Sequence, residues 1–416
     1  MTKALIILFI LSFPSLANAN VRFSGFGNLG VVASDSDYLA YRNNTSQAFG
    51  KFSGDLDFRT NSKLGLQLEW QGNNDFDAVV QVLLQENKQE ALSDYFRLAF
   101  LRYKPTANLD IRLGRVPLDT FLITEYREVD YAFPWAKAPN EVYGIIPFYF
   151  VDGVDVSYTL PLDDFSFLSK IYTGSSRSNI GSLQYADLIE IANITGFSFE
   201  LQSFNWMVST KFSRGHFDEN PIVTMELING LKTLEPYWPD VERFATQFEL
   251  KDAVADYVSI GGRYDLDNLT FYGELAEVSS QERAIADLSS GYFSATYRID
   301  NFQIFTSLGF TNSGRYSFSE DGDTGLQLKS LPAQAFYQLS LLREGTESVA
   351  NYYASSQRTV SIGGRWDISD SMALKLQLDR TDVEQGGDTL WLNNPDKSLD
   401  KDHIVHALFL NLSFIF

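Results

Sequence analysis

The 416-residue sequence has no cysteine, only three histidines and four methionines, and far fewer basic than acidic side chains. Without cysteine there is no disulfide scaffold, no thiolate metal site and no thiol nucleophile. With 33 Lys+Arg against 53 Asp+Glu and a formal net charge of −20, the chain lacks the clustered cations that nucleic-acid phosphates require, so no nucleic-acid partner is expected. Beyond the N-terminal twenty residues there is no apolar run long enough for a membrane helix, which needs about 20 residues. The histidines offer little chemistry. His403 and His406 lie three apart on an expected strand and so face opposite ways, unable to chelate one metal. His216 stands near Arg214 and Asp218, but no nucleophile context accompanies it, so the chain is not read as an enzyme. What the chain does have is aromatic side chains, 33 Phe, 21 Tyr and 6 Trp, a composition incompatible with disorder.

The N-terminus reads as a secretory signal. Lys3 precedes an apolar run from Ala4 to Phe13, then Pro14 and the small-residue site Ala17-Asn18-Ala19. Cleavage after Ala19 is expected, with residues 20–416 as the mature, exported domain. No cofactor is implied.

Alternation dominates that domain. Leu64, Leu66, Leu68 and Trp70 interleave with Lys63, Gly65, Gln67 and Glu69, and Leu408, Leu410, Leu412, Phe414 and Phe416 with Ala407, Asn411 and Ser413. Strands are expected at 21–33, 55–71, 76–87, 94–104, 108–115, 148–160, 165–174, 195–204, 206–214, 255–266, 269–279, 288–300, 302–312, 357–368, 371–381 and 403–416. A water-soluble sandwich also alternates, so the dyad alone does not decide. The links do: very short ones such as Asp267-Asn268 alternate with long ones, the parity of tight periplasmic turns opposite long extracellular loops. Phe148, Tyr149, Phe150, Trp206, Tyr264, Phe271, Trp366, Phe414 and Phe416 fall where interfacial aromatic girdles belong. The reading is an all-β, transmembrane, antiparallel up-and-down barrel of sixteen strands. Closure satisfies every backbone group in hydrocarbon, and a barrel of this size encloses water.

One long link differs from the rest. Residues 116–147 carry Phe121, Tyr126, Tyr131, Phe133, Trp135 and Tyr143, more large apolar groups than a loop in water would hold, so the segment is expected to fold inward and narrow the lumen. Its acids are Asp119, Glu125, Glu128, Asp130 and Glu141; across from them the dyads aim Arg112, Arg263, Arg298, Arg365 and Lys375 inward, with Arg115 at the loop entrance. Two uses are open: a transverse field acting on polar solutes, or salt bridges pinning the loop.

Leu113-Gly114-Arg115-Val116-Pro117-Leu118 leading into that loop, Phe23-Ser24-Gly25-Phe26-Gly27 near the start and the terminal Phe416 give the chain a layout that resembles the porin superfamily of Gram-negative outer membranes. The resemblance implies an outer-membrane location, a constricting third extracellular loop at 116–147, a terminal phenylalanine read by the barrel-assembly machinery, and a homotrimer. Implied partners are outer-membrane lipid, lipopolysaccharide and small hydrophilic solutes or ions diffusing passively. The loop core Tyr131-Ala132-Phe133-Pro134-Trp135 departs from the acidic Pro-Glu-Phe-Gly-Gly-like core of enterobacterial general porins. The alternative is a non-conducting barrel acting as adhesin, receptor or surface hydrolase.

Two smaller signals complete the reading. Ser259-Ile260-Gly261-Gly262-Arg263-Tyr264-Asp265 is echoed by Ser361-Ile362-Gly363-Gly364-Arg365-Trp366-Asp367, taken as one structural solution used twice. The acidic clusters Asp35-Ser36-Asp37 and Glu320-Asp321-Gly322-Asp323 lack a complete calcium-ligand pattern and read as solvated loop charge.

Overall fold

A computed structural model describes residues 21–72, 75–86, 92–181, 186–318, 332–397, 399 and 401–416. The expected signal at 1–19 and the acidic cluster at 320–323 lie outside these residues.

Sixteen strands close into one antiparallel barrel: β1 (Val21–Ser34), β3 (Lys63–Gln71), β4 (Phe76–Gln85), β5 (Phe96–Thr106), β6 (Leu109–Pro117), β7 (Phe150–Pro161), β8 (Phe165–Gly181), β9 (Ala186–Ser203), β10 (Trp206–Phe217), β11 (Val254–Leu266), β12 (Leu269–Ser280), β13 (Leu288–Ile299), β14 (Phe302–Ser313), β15 (Ser355–Ser369), β16 (Met372–Asp388) and β18 (His403–Ile415). Each pairs with its sequence neighbours, and β1 closes the ring on β18. A separate two-stranded sheet, β2 (Leu39–Tyr41) with β17 (Trp391–Asn393), lies inside the mouth.

The alternation sorts side chains as a membrane barrel requires. On β18, Leu408 and Leu410 are exposed outward while Ala407, Phe409, Asn411 and Ser413 are buried toward the lumen. Cross-strand aromatic pairs gather outside near the short-turn rim: Phe76 stacks on Tyr103 at 4.6 Å and Phe302 on Trp366 at 5.9 Å. Tyr264, Trp366 and Phe416 belong to this exposed face. Phe148 and Tyr149 do not, against the sequence reading: Phe148 is buried in an inner apolar cluster, and Tyr149 is half-buried, its hydroxyl accepting from Asn44 and its ring under the Arg97 guanidinium. Phe150 is likewise covered, by the Arg115 guanidinium.

The tightest turns follow from residue chemistry. Asp267 and Asp300 take φ of 51° and 53° between directly paired strand ends, a left-handed conformation that short Asp and Asn side chains tolerate. At the seam, large faces small: Phe414 and Phe416 lie over Gly27 and Gly25, and Gly25 and Phe416 exchange both backbone hydrogen bonds at 2.9 Å.

Three expectations change. The second barrel strand begins at Lys63, not 55, because Asp57 accepts from the backbone of Arg59 and Thr60 and holds 57–62 in turns. Strands β8 and β9 outrun their expected ends to form a long hairpin registered to Gly181–Ala186. The two longest links carry helices: α2 (Ile222–Lys232) and α3 (Val241–Ala245) in one, α4 (Ala333–Ala350) in the other. A further short helix, α1 (Asn140–Tyr143), sits in the inward loop. Leu227, Leu231, Trp238, Phe244, Phe248 and Leu339 give the helical layer its own core above the barrel.

Candidate functional site: the inward loop

The link between β6 and β7 folds into the barrel, and its aromatic side chains explain why. Phe121, Phe133, Trp135 and Tyr143 are almost fully buried against Tyr257, Tyr272 and Tyr292 of the wall. Trp135 meets Tyr272 and Tyr292 edge-on and donates its indole N–H to Ser294 Oγ at 2.9 Å. Burying such rings removes apolar area from water, and the one polar atom of the indole finds a partner.

Backbone polar groups dragged inside must also be satisfied, and wall side chains do it. Lys375, fully buried, donates to the carbonyls of Asp130, Phe133 (2.7 Å) and Trp135 (3.0 Å). Arg365 donates to the carbonyls of Tyr131 (2.6 Å) and Phe133 (2.9 Å) and pairs with Asp367 at 2.6 Å. Gln377 Oε1 accepts from the N–H groups of Ala136 and Lys137, and Lys137 pairs with Asp379 at 3.2 Å. Glu274 accepts from Leu122 N at 3.0 Å and from the Tyr143 hydroxyl at 2.8 Å.

The acids of the loop meet cations across the gap. Asp119 lies between Lys211 and Lys170 (3.2 Å) and accepts from Ser198 Oγ at 2.7 Å. Burial disfavours its charge, but the two lysines outweigh that and hold its carboxyl well below the usual carboxylate range. Glu125 reaches Lys170 at 2.7 Å and Arg112 at 3.2 Å, while Arg112 also forks onto Asp155 at 2.6 Å. Lys63 joins Asp130 at 2.9 Å and Glu128 at 3.4 Å, with Arg97 3.7 Å from Glu128. Glu141 differs, taking the neutral donors Gln357 (2.7 Å) and Thr359.

The other named cations stand apart from the loop acids. Arg263 pairs with Asp265 at 3.0 Å and borders a cavity of about 620 Å³ on the short-turn side of the loop, with Glu125, Glu200 and Lys170 also on its wall. Its echo Arg365 makes the same i,i+2 pair, so the repeated segment is one local solution; the difference is that Arg365 also grips the loop. Arg298 bonds Asp367 at 3.2 Å near the rim. Arg115 is the correction: three residues from Arg112, it falls on the outer face with Leu113 and pairs with Asp152 at 2.7 Å. Odd spacing along a strand reverses the face, and the loop entrance does not change that.

Lys63, Arg97, Lys170 and Lys211 were missed in the sequence although all four grip loop acids. The signal was present for Lys63, a polar member of a recognised dyad. Acidic Asp35 and Asp37, expected to be solvated, bond His406 Nδ1 at 2.7 Å and Lys397 at 3.1 Å.

No protein-family model and no curated protein matches the sequence. Solved structures do match in shape. The outer membrane channel DcaP of Acinetobacter baumannii is 12% identical at a TM-score of 0.53, covering 97% of this chain and 99% of that one. The anion-selective porin from Comamonas acidovorans is 10% identical at 0.52, covering 96% and 100%. OprB of Pseudomonas putida is 9% identical at 0.51, covering 95% and 94%. At such identities the likeness is one of architecture, and by it this chain has the closed sixteen-strand fold of the outer-membrane porins.

Proposed function

We propose that the mature chain, freed of residues 1–19 after export, is an outer-membrane channel through which small hydrophilic solutes or ions diffuse passively. The assembly would be a homotrimer among lipid and lipopolysaccharide, inserted by the barrel-assembly machinery with Phe416 as the recognised residue. The observation that carries the reading is a closed barrel with an internal loop fastened on many sides. Such a loop narrows the bore without sealing the cavity of about 620 Å³ below it.

In this reading Asp119, Glu125, Glu128 and Asp130 line the constriction with the cations that fix them, and Arg263 meets solute in the lower cavity. Paired charges leave a short-range field at the narrowest point, which dipolar or charged solutes tolerate and apolar ones of equal size do not.

Deleting residues 119–141 tests the proposal in planar bilayers. The wild-type protein should conduct in discrete steps and the deletion should raise single-channel conductance. A silent bilayer from correctly folded protein would favour the receptor or adhesin alternative, and an unchanged conductance would remove the loop from the permeation path.

A further inference from the structure

The lumen wall changes character at the level of the inward loop. Below it, β9 presents Ser198, Glu200 and Gln202 inward; above it, the same face of the same strand presents Ile189, Ile191 and Ile194. Lipid contact does not require this, because these side chains point away from the bilayer while Leu188 and Phe197 cover the outside. Leu288 of β13 and Phe148 of the inward loop complete an apolar chamber of about 130 Å³ above the loop.

Part of this greasy surface packs against Val116, Leu118 and Tyr172, as an ordinary core would. A core, however, closes up, and native interiors hold few voids larger than a water molecule. A chamber with such a wall is poorly wetted; an engineered protein cavity of about 150 Å³ lined by Leu, Ile and Phe stays dry and takes up benzene. The size therefore matches one aromatic ring.

The polar inventory narrows the class. Among the described residues Asp256 is the one acidic or basic residue on the chamber wall, and its carboxylate is engaged by Arg214 at 2.7 Å on the outer face of the strands. A charged ligand group would find no counter-ion inside. Thr120 lies at the chamber floor, 2% exposed, with its hydroxyl lacking a hydrogen-bond partner. A buried hydroxyl left unpartnered is costly, and one donor or acceptor on a ligand satisfies it.

We infer that the chamber above the inward loop is a binding site for a small neutral aromatic alcohol or phenol, its ring among Ile189, Ile191, Ile194 and Leu288 and its hydroxyl on Thr120 Oγ. This deepens the channel proposal, on which it rests, by naming a solute class that pauses before the constriction.

Phenol is the probe, with glycerol and benzoate as controls, measured by saturation-transfer NMR on full-length protein in nanodiscs with empty nanodiscs subtracted. Saturable phenol binding is expected, with glycerol and benzoate at background. Ile191→Asn should weaken it about tenfold or more by placing an amide in the apolar wall. Thr120→Val, which keeps side-chain shape and serves if the first variant folds poorly, should weaken phenol but leave benzene uptake unchanged. Phenol at background on protein that conducts would overturn the site while leaving the channel reading intact. Phenol binding by both variants at wild-type strength would overturn it as well. Saturable binding that both variants weaken, by protein that does not conduct, would support the site and overturn the channel.

Discussion

At the scale of single residues, the cations of this barrel divide by what they touch. Lys375 is fully buried and satisfies three loop carbonyls, so Lys375→Met keeps the stem but strands those acceptors. Each buried acceptor left bare costs about 1–3 kcal/mol before water enters. The expected outcome is a lower urea midpoint in lipid vesicles together with flickering single-channel current. Arg263→Gln, on a side chain facing the open cavity, should leave the midpoint nearly unchanged. Asp119 gives a pH signature. Removing one member of a buried charge cluster costs about 3–5 kcal/mol, so Asp119→Asn should destabilise the barrel. Because the folded carboxyl sits below its unfolded value of about 3.9, the difference from wild type should be full above that pH. It should hold from pH 8 to about 4 and begin to shrink only below the unfolded value, as pH falls toward the folded one; unfolding midpoints from pH 8 to 3 measure that plateau and the start of the fall. A difference that changes between pH 8 and 5 would mean that Asp119 is not held ionised by its lysines.

Elements were legible where one physical rule decides them. Every barrel strand was readable because lipid demands apolar groups on alternate positions, and the turn at Asp267-Asn268 because so few residues accept φ of 51°. The inward course of the segment expected at 116–147 was readable from its rings. Its fastening was not, since Lys170 and Lys211 lie on strands distant in sequence and only barrel closure brings them to Asp119. The helical layer was missed for a related reason: α2 and α4 share one core, to which they contribute Leu227 and Leu339, and neither segment shows that pairing alone. The same independence yields a prediction. Leu231→Asp, in that layer's core, should release the layer to limited proteolysis while the barrel keeps its urea midpoint, because the strands close without it. A parallel fall in both would show that layer and barrel fold as one unit.

For the whole molecule, charge and permeation part company. The chain carries −20, which alone suggests a cation channel, yet exposed loop charges are screened within about 8 Å at physiological salt. What an ion meets in the bore is local, and most of that is already paired: Arg112 with Asp155 and Glu125, Arg365 with Asp367, Lys170 and Lys211 with Asp119. Neutralising Arg112 or Arg365 therefore frees a carboxylate or loop carbonyl as well as removing a cation, and should disturb the loop more than the selectivity. Among the described residues Arg263 has only Asp265 within ion-pair distance, and it faces the cavity of about 620 Å³ below the loop. Arg263→Gln should consequently move the reversal potential in a salt gradient toward cation preference with little change in conductance. A larger shift from Arg365→Gln than from Arg263→Gln, at unchanged conductance, would place the ion path along the β15 side of the loop instead.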